Sequence, residues 1–258
     1  MARQPHRERA PITEWVAESL RTTGFPIADA EFTADNWWQA VVLEDPEAQT
    51  VRPRTRERQE QGPFQRGRLI LRVQPSRIDW ELTPSPMEME GETGLEALGT
   101  FGDACRRFCE LMTRWFPLSP RLDRLAFGAT ALLQVPSRID GYLRLSAYLP
   151  SLQIDTEGST DLLYRINRPR PSRTNIPNLT INRLSTWTVG QLEFHTLAIG
   201  PGEAPRVSRG EPTFACRVEF DMNTPPSFAG EFASPQLEHV FQELVELVLE
   251  TLQQGDQP

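Results

Sequence analysis

The chain of 258 residues carries 27 basic and 35 acidic side chains, a net charge of −8. That length suits one large domain or two small ones, and no run approaches the roughly 18 apolar residues of a membrane span. All 27 basic residues are arginine, which excludes lysine Schiff-base chemistry and removes the cation that a phosphate-binding P-loop requires.

The amino terminus, MARQPHRERAP, is basic but lacks the apolar stretch of a signal peptide. Pro11–Leu20 (PITEWVAESL) predicts a helix, with proline at its start and Ile12, Trp15, Val16 and Leu20 at helical spacing. Asn36–Leu43 (NWWQAVVL) reads as a first strand. Residues 44–67 then lose nearly all apolar content and are rich in charge and turn formers, which predicts a flexible insertion.

Arg68–Gln74 (RLILRVQ) and Arg77–Leu82 (RIDWEL) alternate apolar and polar residues around Pro75 and Ser76, the pattern of a β-hairpin or of two sequential strands. Thr83–Gly94 is an acidic connection. Thr100 then caps a helix, with Asp103 three residues on and an apolar stripe of Phe101, Cys105, Phe108, Met112 and Trp115. Pro117 stops it.

Asp123–Val135 (DRLAFGATALLQV) suits a long, largely buried strand, and Ser137 with Asp140 opens a short helix. Leu162–Asn167, Leu179–Trp187, Gln191–Ile199 and Thr213–Met222 read as strands. Ser234 and Pro235 start a helix to about Leu252, with Leu237, Val240, Phe241, Leu244, Leu247 and Val248 on one side. Glu238, Glu243, Glu246 and Glu250 are expected on the other. This order implies an α+β fold, mainly antiparallel sheet with helices packed on one face. It also allows two strand-rich lobes, at about 11–117 and 118–253, each ending in a helix. No internal sequence repeat accompanies them.

Chemistry is sparsely signalled. No Gly-rich phosphate loop, dinucleotide fingerprint or GxSxG nucleophile elbow is present. Cys105, Cys109 and Cys216 are an odd number, in cytosolic usage, and a cytoplasmic location is expected. Cys105 and Cys109 lie at i, i+4, yet a structural zinc wants four ligands and core packing explains them better. Glu219, Asp221 and Asn223 alternate on one strand face, as Mg²⁺ ligands or as an ordinary half-exposed strand. His195 and His239 read as packed or surface residues rather than bases. No metal or cofactor is expected.

The segment Tyr164–Leu184 holds Arg165, Arg168, Arg170, Arg173 and Arg183 with no acidic residue. Asn178 and Asn182 add donors, and Pro169, Pro171 and Pro177 hold its first part extended. Together these residues form the candidate site for a partner or an anion, with Arg168, Arg170 and Arg173 expected to reach outward. A second basic run, Arg52–Arg72, sets seven arginines against Glu57 and Glu60. The choice of arginine over lysine itself carries little, because a GC-rich genome produces it.

LILRVQPSRIDWEL, the helix ending in RWF, RLAFGATALLQVPSRI, GYLRLSAYLP, YRINRP and FDMNTPP together resemble a sporadically distributed bacterial family, about 250 residues long, of unassigned function. The resemblance begins at Leu69 and implies no catalytic residues. Such patchy distribution implies an antiviral defence or mobile-element context. The reading is a non-enzymatic subunit that binds a protein partner, with a homo-oligomer through the terminal helix. The alternative is a nucleic-acid-contacting subunit using its arginine-rich loops, although Arg165–Leu184 holds no aromatic residue. A third is a hydrolase using His195 or Asp221.

Overall fold

Alternation in RLILRVQ and RIDWEL buries Leu69, Leu71 and Val73 with Ile78, Trp80 and Leu82 on one face. This is a hairpin closed at Pro75 and Ser76, with Gln74 opposite Arg77. It forms part of a sheet that runs through the whole molecule. The computed structural model describes residues 9–32, 35–85, 95, 97–192, 195–198, 206–209 and 213–257.

The first half of the chain contains β1 (Val16–Pro26), α1 (Trp37–Val42), β2 (Ala48–Arg52), β3 (Glu57–Phe64), β4 (Gly67–Gln74), β5 (Arg77–Pro84) and α2 (Phe101–Trp115). The second contains β6 (Leu122–Val135), α3 (Arg138–Tyr148), β7 (Leu163–Asn167), β8 (Arg170–Pro171), β9 (Thr180–Leu192), β10 (His195–Ala198), β11 (Arg206–Arg209), β12 (Thr213–Asn223) and α4 (Ser234–Gln254). The main sheet has the order β2-β3-β4-β5-β1-β6-β12-β9-β7, with β8 also paired to β9 and β10–β11 a separate ribbon. Every pairing is antiparallel. The fold is α+β.

Each half follows one plan: a strand, a helix, a meander whose last strand returns beside the first, and a closing helix. The halves meet where β1 pairs with β6, Arg21 opposite Gly128. Because the order β3-β4-β5-β1 is mirrored by β6-β12-β9-β7, an approximate two-fold axis passes between β1 and β6.

The four helices lie on one face of the sheet. Trp38 of α1 stacks on Trp80 at 6.1 Å, and Trp115 of α2 meets Trp80 at 6.4 Å. The Gly141 carbonyl in α3 accepts from Cys216 Sγ at 3.5 Å. Phe241 of α4 packs edge-on against Phe127 at 5.6 Å. All these strand residues point to the same side, so one continuous core serves both halves.

The caps at Thr100 and Ser137 form as the sequence implies, accepting from the Asp103 and Asp140 amides at 3.3 and 3.2 Å. Three expectations are corrected. Pro11–Leu20 is a short 3-10 turn, Ile12–Glu14, followed by β1. Ile12 lies in the turn, Trp15 at its end and Val16 and Leu20 in β1, so residues from two elements, with Trp15 and Leu20 fully buried, imitate one helical face. Asn36–Leu43 is helical, because Trp37, Trp38 and Val41 reach the core from one turn.

The third is residues 44–67, which form β2, β3 and their turn. Their polarity marks a hairpin at the sheet's end, where β2 is exposed throughout. Most of the Thr83–Gly94 connection, and the end of the Gln191–Ile199 strand, lie outside the described residues.

The apolar stripe of α4 is buried against the sheet within the chain. Glu243, expected on its outer side, is also buried. Among the described residues no helix is long and apolar enough to cross a membrane.

Candidate functional site: the open face of the sheet

With the four described helices on one side, the opposite face of the sheet carries polar alternation and, among the described residues, no covering layer. Ser19 and Arg21 of β1, Glu81 of β5, Thr130 of β6, Arg217, Glu219 and Asp221 of β12, Thr186 of β9 and Arg165 of β7 line a groove of about 690 Å³. Gly128 forms its floor beside the approximate two-fold axis. A β-carbon there would stand 3.5 Å from the Arg21 guanidinium, which lies across this position.

Most charges on this face are neutralised within it. Arg217 pairs with Glu18 at 2.9 Å and with Glu219, and Arg72 pairs with Glu81. Arg77 grips Asp79 through two nitrogens at 2.7 and 3.0 Å. That hydrogen bond holds Arg77 more firmly protonated than usual, against the effect of burial. Asp79 also accepts from Thr23 at 2.6 Å. An amide ladder crosses three strands: Asn223 donates to Asp221 at 3.0 Å, Asn182 to Asn223 at 3.0 Å and Asn167 to Asn182 at 3.2 Å.

Arg21 and Arg165 form no hydrogen bond or ion pair with a described residue, and Arg21 Nε is buried without a partner. They are the available cations of the groove, and Glu81, Glu219 and Asp221 face them from its walls. Among the described residues Phe25 is the aromatic ring of this face, and Arg124 covers it at 4.3 Å.

The arginine-rich segment divides between two places. Arg165 and Asn182 belong to the open face. Arg168, Arg170 and Arg173 lie on the helix side; for the half-buried Arg168 and Arg170 this corrects the expectation that they reach outward, whereas Arg173 stays 61% exposed. Arg168 donates from Nε and Nη2 to Asp256 at 2.6 and 2.8 Å, and Tyr164 donates to the same carboxylate at 3.0 Å. Arg170 and Arg173 meet Glu250 at 3.2 and 3.5 Å. Glu243 accepts from the Arg173 amide at 2.9 Å and from Ser172.

Gly255, in the left-handed region at φ 75°, turns the chain after α4 so that the Asp256 amide reaches the Tyr148 carbonyl at 2.8 Å. The segment is therefore a clamp on the last helix. Arg183 is half-buried against it, and burial followed by repulsion from Arg170 pulls its pKa down. Burial and then Asp256 push Tyr164 up. Asn178 sits exposed in a turn at φ 59°.

Glu219, Asp221 and Asn223 share the open face, but Glu219 and Asp221 are engaged by Arg217 and Asn223. Among the described residues no group of three His, Cys, Asp or Glu is placed to hold a metal ion. His239 is exposed on α4, and the side chain of His195 lies outside the described residues.

Cys105 and Cys216 are buried and Cys109 is half-buried, all three as free thiols. Burial pushes Cys109 and Cys216 up to about 12 and raises Cys105 well above its ordinary value. Native protein at pH 8 is expected to alkylate slowly with iodoacetamide, and unfolded protein rapidly at three sites, as mass spectrometry would show. The folded state keeps these protons while an unfolded chain releases them near pH 9, so stability is expected to fall as pH rises from about 9 towards 12. Rapid native labelling would place the thiols outside the core.

No family model, curated protein or solved structure matches this chain. The functional reading therefore rests on the geometry of the open face. Sequence analysis did not single out Arg21, Gly128, Thr130 or Thr186. Their one signal was polar alternation along β1, β6 and β9, opposite the apolar positions.

Proposed function

We propose that this chain is a non-enzymatic, protein-binding accessory subunit that receives its partner on the open face of the sheet. The observation that carries the proposal is the charge pattern of the groove. Two guanidiniums without a partner among the described residues, Arg21 and Arg165, share a polar floor with Glu81, Glu219 and Asp221. A polypeptide surface supplies carboxylates for the arginines and donors for the acidic walls and the amide ladder. A nucleic acid supplies mainly phosphates, which meet three carboxylates and little aromatic surface for base stacking.

The clamp supports the same reading by default. Arg168 and Arg170 are engaged by Asp256 and Glu250, so the charge of this arginine-rich segment is largely spent within the chain. The free cysteines suit a cytoplasmic location, and the resemblance from Leu69 onward suits an antiviral defence or mobile-element context.

The test is filter binding of single- and double-stranded nucleic acid at two salt concentrations, with wild type and an Arg21→Ala/Arg165→Ala variant. Binding no tighter than about 10 μM at physiological salt, unchanged by the variant, is the expected result. Submicromolar, arginine-dependent binding that weakens steeply with salt would replace this reading with the nucleic-acid-contacting one.

A further inference from the structure

The two ends of the sheet differ. At one end β7 runs into Arg168-Pro169-Arg170-Pro171, and the two prolines offer no amide hydrogen to an incoming strand. At the other end β2 has β3 on one side and, among the described residues, no strand on the other. All five of its residues are exposed and none is proline, and Val51 shows 53% of its surface. Alternate residues of such a strand point unpaired amides and carbonyls outward, which makes it a template for another strand.

The sequence around β2 says which strand fits. Glu44, Asp45 and Glu47 precede it, and Arg52, Arg54 and Arg56 end and follow it, about a neutral centre of Ala48-Gln49-Thr50-Val51. The run is acidic, neutral, then basic. Laid antiparallel against itself about Thr50, it brings the acidic flank of each copy beside the basic flank of the other. Laid parallel, it sets like charges together. Self-complementarity of this kind is what a two-fold, isologous contact requires.

The side chains of Glu44, Arg54 and Arg56 make no hydrogen bond or ion pair with a described residue. Others remain accessible although paired: Glu47, bonded to Arg68, is 57% exposed, and Arg52, bonded to Glu57, is 71% exposed.

We propose that a second copy of this chain pairs antiparallel with β2, joining two sheets edge to edge into one continuous sheet across a molecular two-fold axis near Thr50. The contact leaves the open-face groove uncovered in both copies, so a dimer would present two such faces. The proposal stands apart from the protein-binding reading, since β2 and the groove lie on different parts of the sheet.

Sedimentation equilibrium of the full chain measures it. A mass of twice 29.3 kDa is expected, half-dissociating at about 10 μM as befits a small contact and more readily in high salt. Thr50→Pro, on an exposed strand, should give a folded monomer by circular dichroism. Glu44→Arg alone, or Arg54→Glu with Arg56→Glu, should weaken the dimer about tenfold or more. The three reversals combined restore opposite charges and should recover it. A wild type that stays monomeric well above that concentration would overturn the proposal. So would a dimer indifferent to Thr50→Pro and to the charge reversals. Amide protection of β2 gained only on adding another protein would assign the edge to a foreign strand, and would also overturn it.

Discussion

Phe241→Asp is expected to abolish cooperative thermal unfolding. Phe241 is 3% exposed and packs between Phe116 at 5.2 Å and Phe127 at 5.6 Å. Loss of a buried phenyl ring costs about 3–5 kcal/mol, and a carboxyl group without a partner adds about 1–3 kcal/mol. A domain of this kind has about 5–15 kcal/mol in total. Phe241→Leu, which keeps most of the volume, should lower stability by only about 1–2 kcal/mol. Both are read by circular dichroism melts. An Asp variant that melts like wild type would show α4 to be a tail rather than one layer of the core.

Arg168→Ala is expected to lower the free energy of unfolding in urea by about 3 kcal/mol, because it leaves a buried carboxylate with an incomplete set of partners. The Asp256 side chain is 5% exposed and Arg168 is 21% exposed, so solvent cannot replace the guanidinium fully. Tyr164 remains as a donor but carries no charge. An Arg168→Leu/Asp256→Leu variant removes both charges and should cost less than either single change, as expected when the penalty comes from an orphaned ion. If Arg168→Ala falls within about 0.5 kcal/mol of wild type, Arg168 behaves as a surface arginine. The clamp would then contribute nothing to stability.

The fold was legible where one periodicity stood alone. The Thr100 cap and the stripes of α2 and α4 each had a pattern with one physical solution, while the β4–β5 hairpin and the Ser137 helix were each one of two arrangements the pattern allowed. It was misread where elements were short or ran together. The 3-10 turn at Ile12–Glu14 runs directly into β1, so Ile12 and Trp15 from the turn with Val16 and Leu20 from the strand gave an apparent helix. In α1, six residues between left-handed Asn36 and Leu43 are too few to establish a helical period.

The β2–β3 hairpin had no clear apolar face because it lies at the end of the sheet, where β2 is exposed throughout. The repeated plan of the two halves showed in the sequence as two strand-rich stretches each ending in a helix, with no residue-level repeat. It resides in which strands pair, and different residues can satisfy the same pairing.

The candidate site was less legible than the fold. An arginine-rich run looks alike whether its charges face solvent or meet Asp256 and Glu250 from far along the chain. Only tertiary structure separates Arg168 from Arg165. Arg21 and Thr130 stood in strands whose polar positions gave no hint that six strands would align them around one groove.

The central claim is that the open face, and not the helical face, meets a protein partner. A photo-crosslinking amino acid placed singly at Thr130 or Thr186 in the groove, and at His239 or Glu246 on the exposed side of α4, tests it in the cells that make the protein. The account predicts discrete protein adducts from the two groove positions, lost when Arg21 and Arg165 are replaced by alanine, and none from α4. Adducts from α4 with none from the groove, or groove adducts that nuclease digests away, would contradict it.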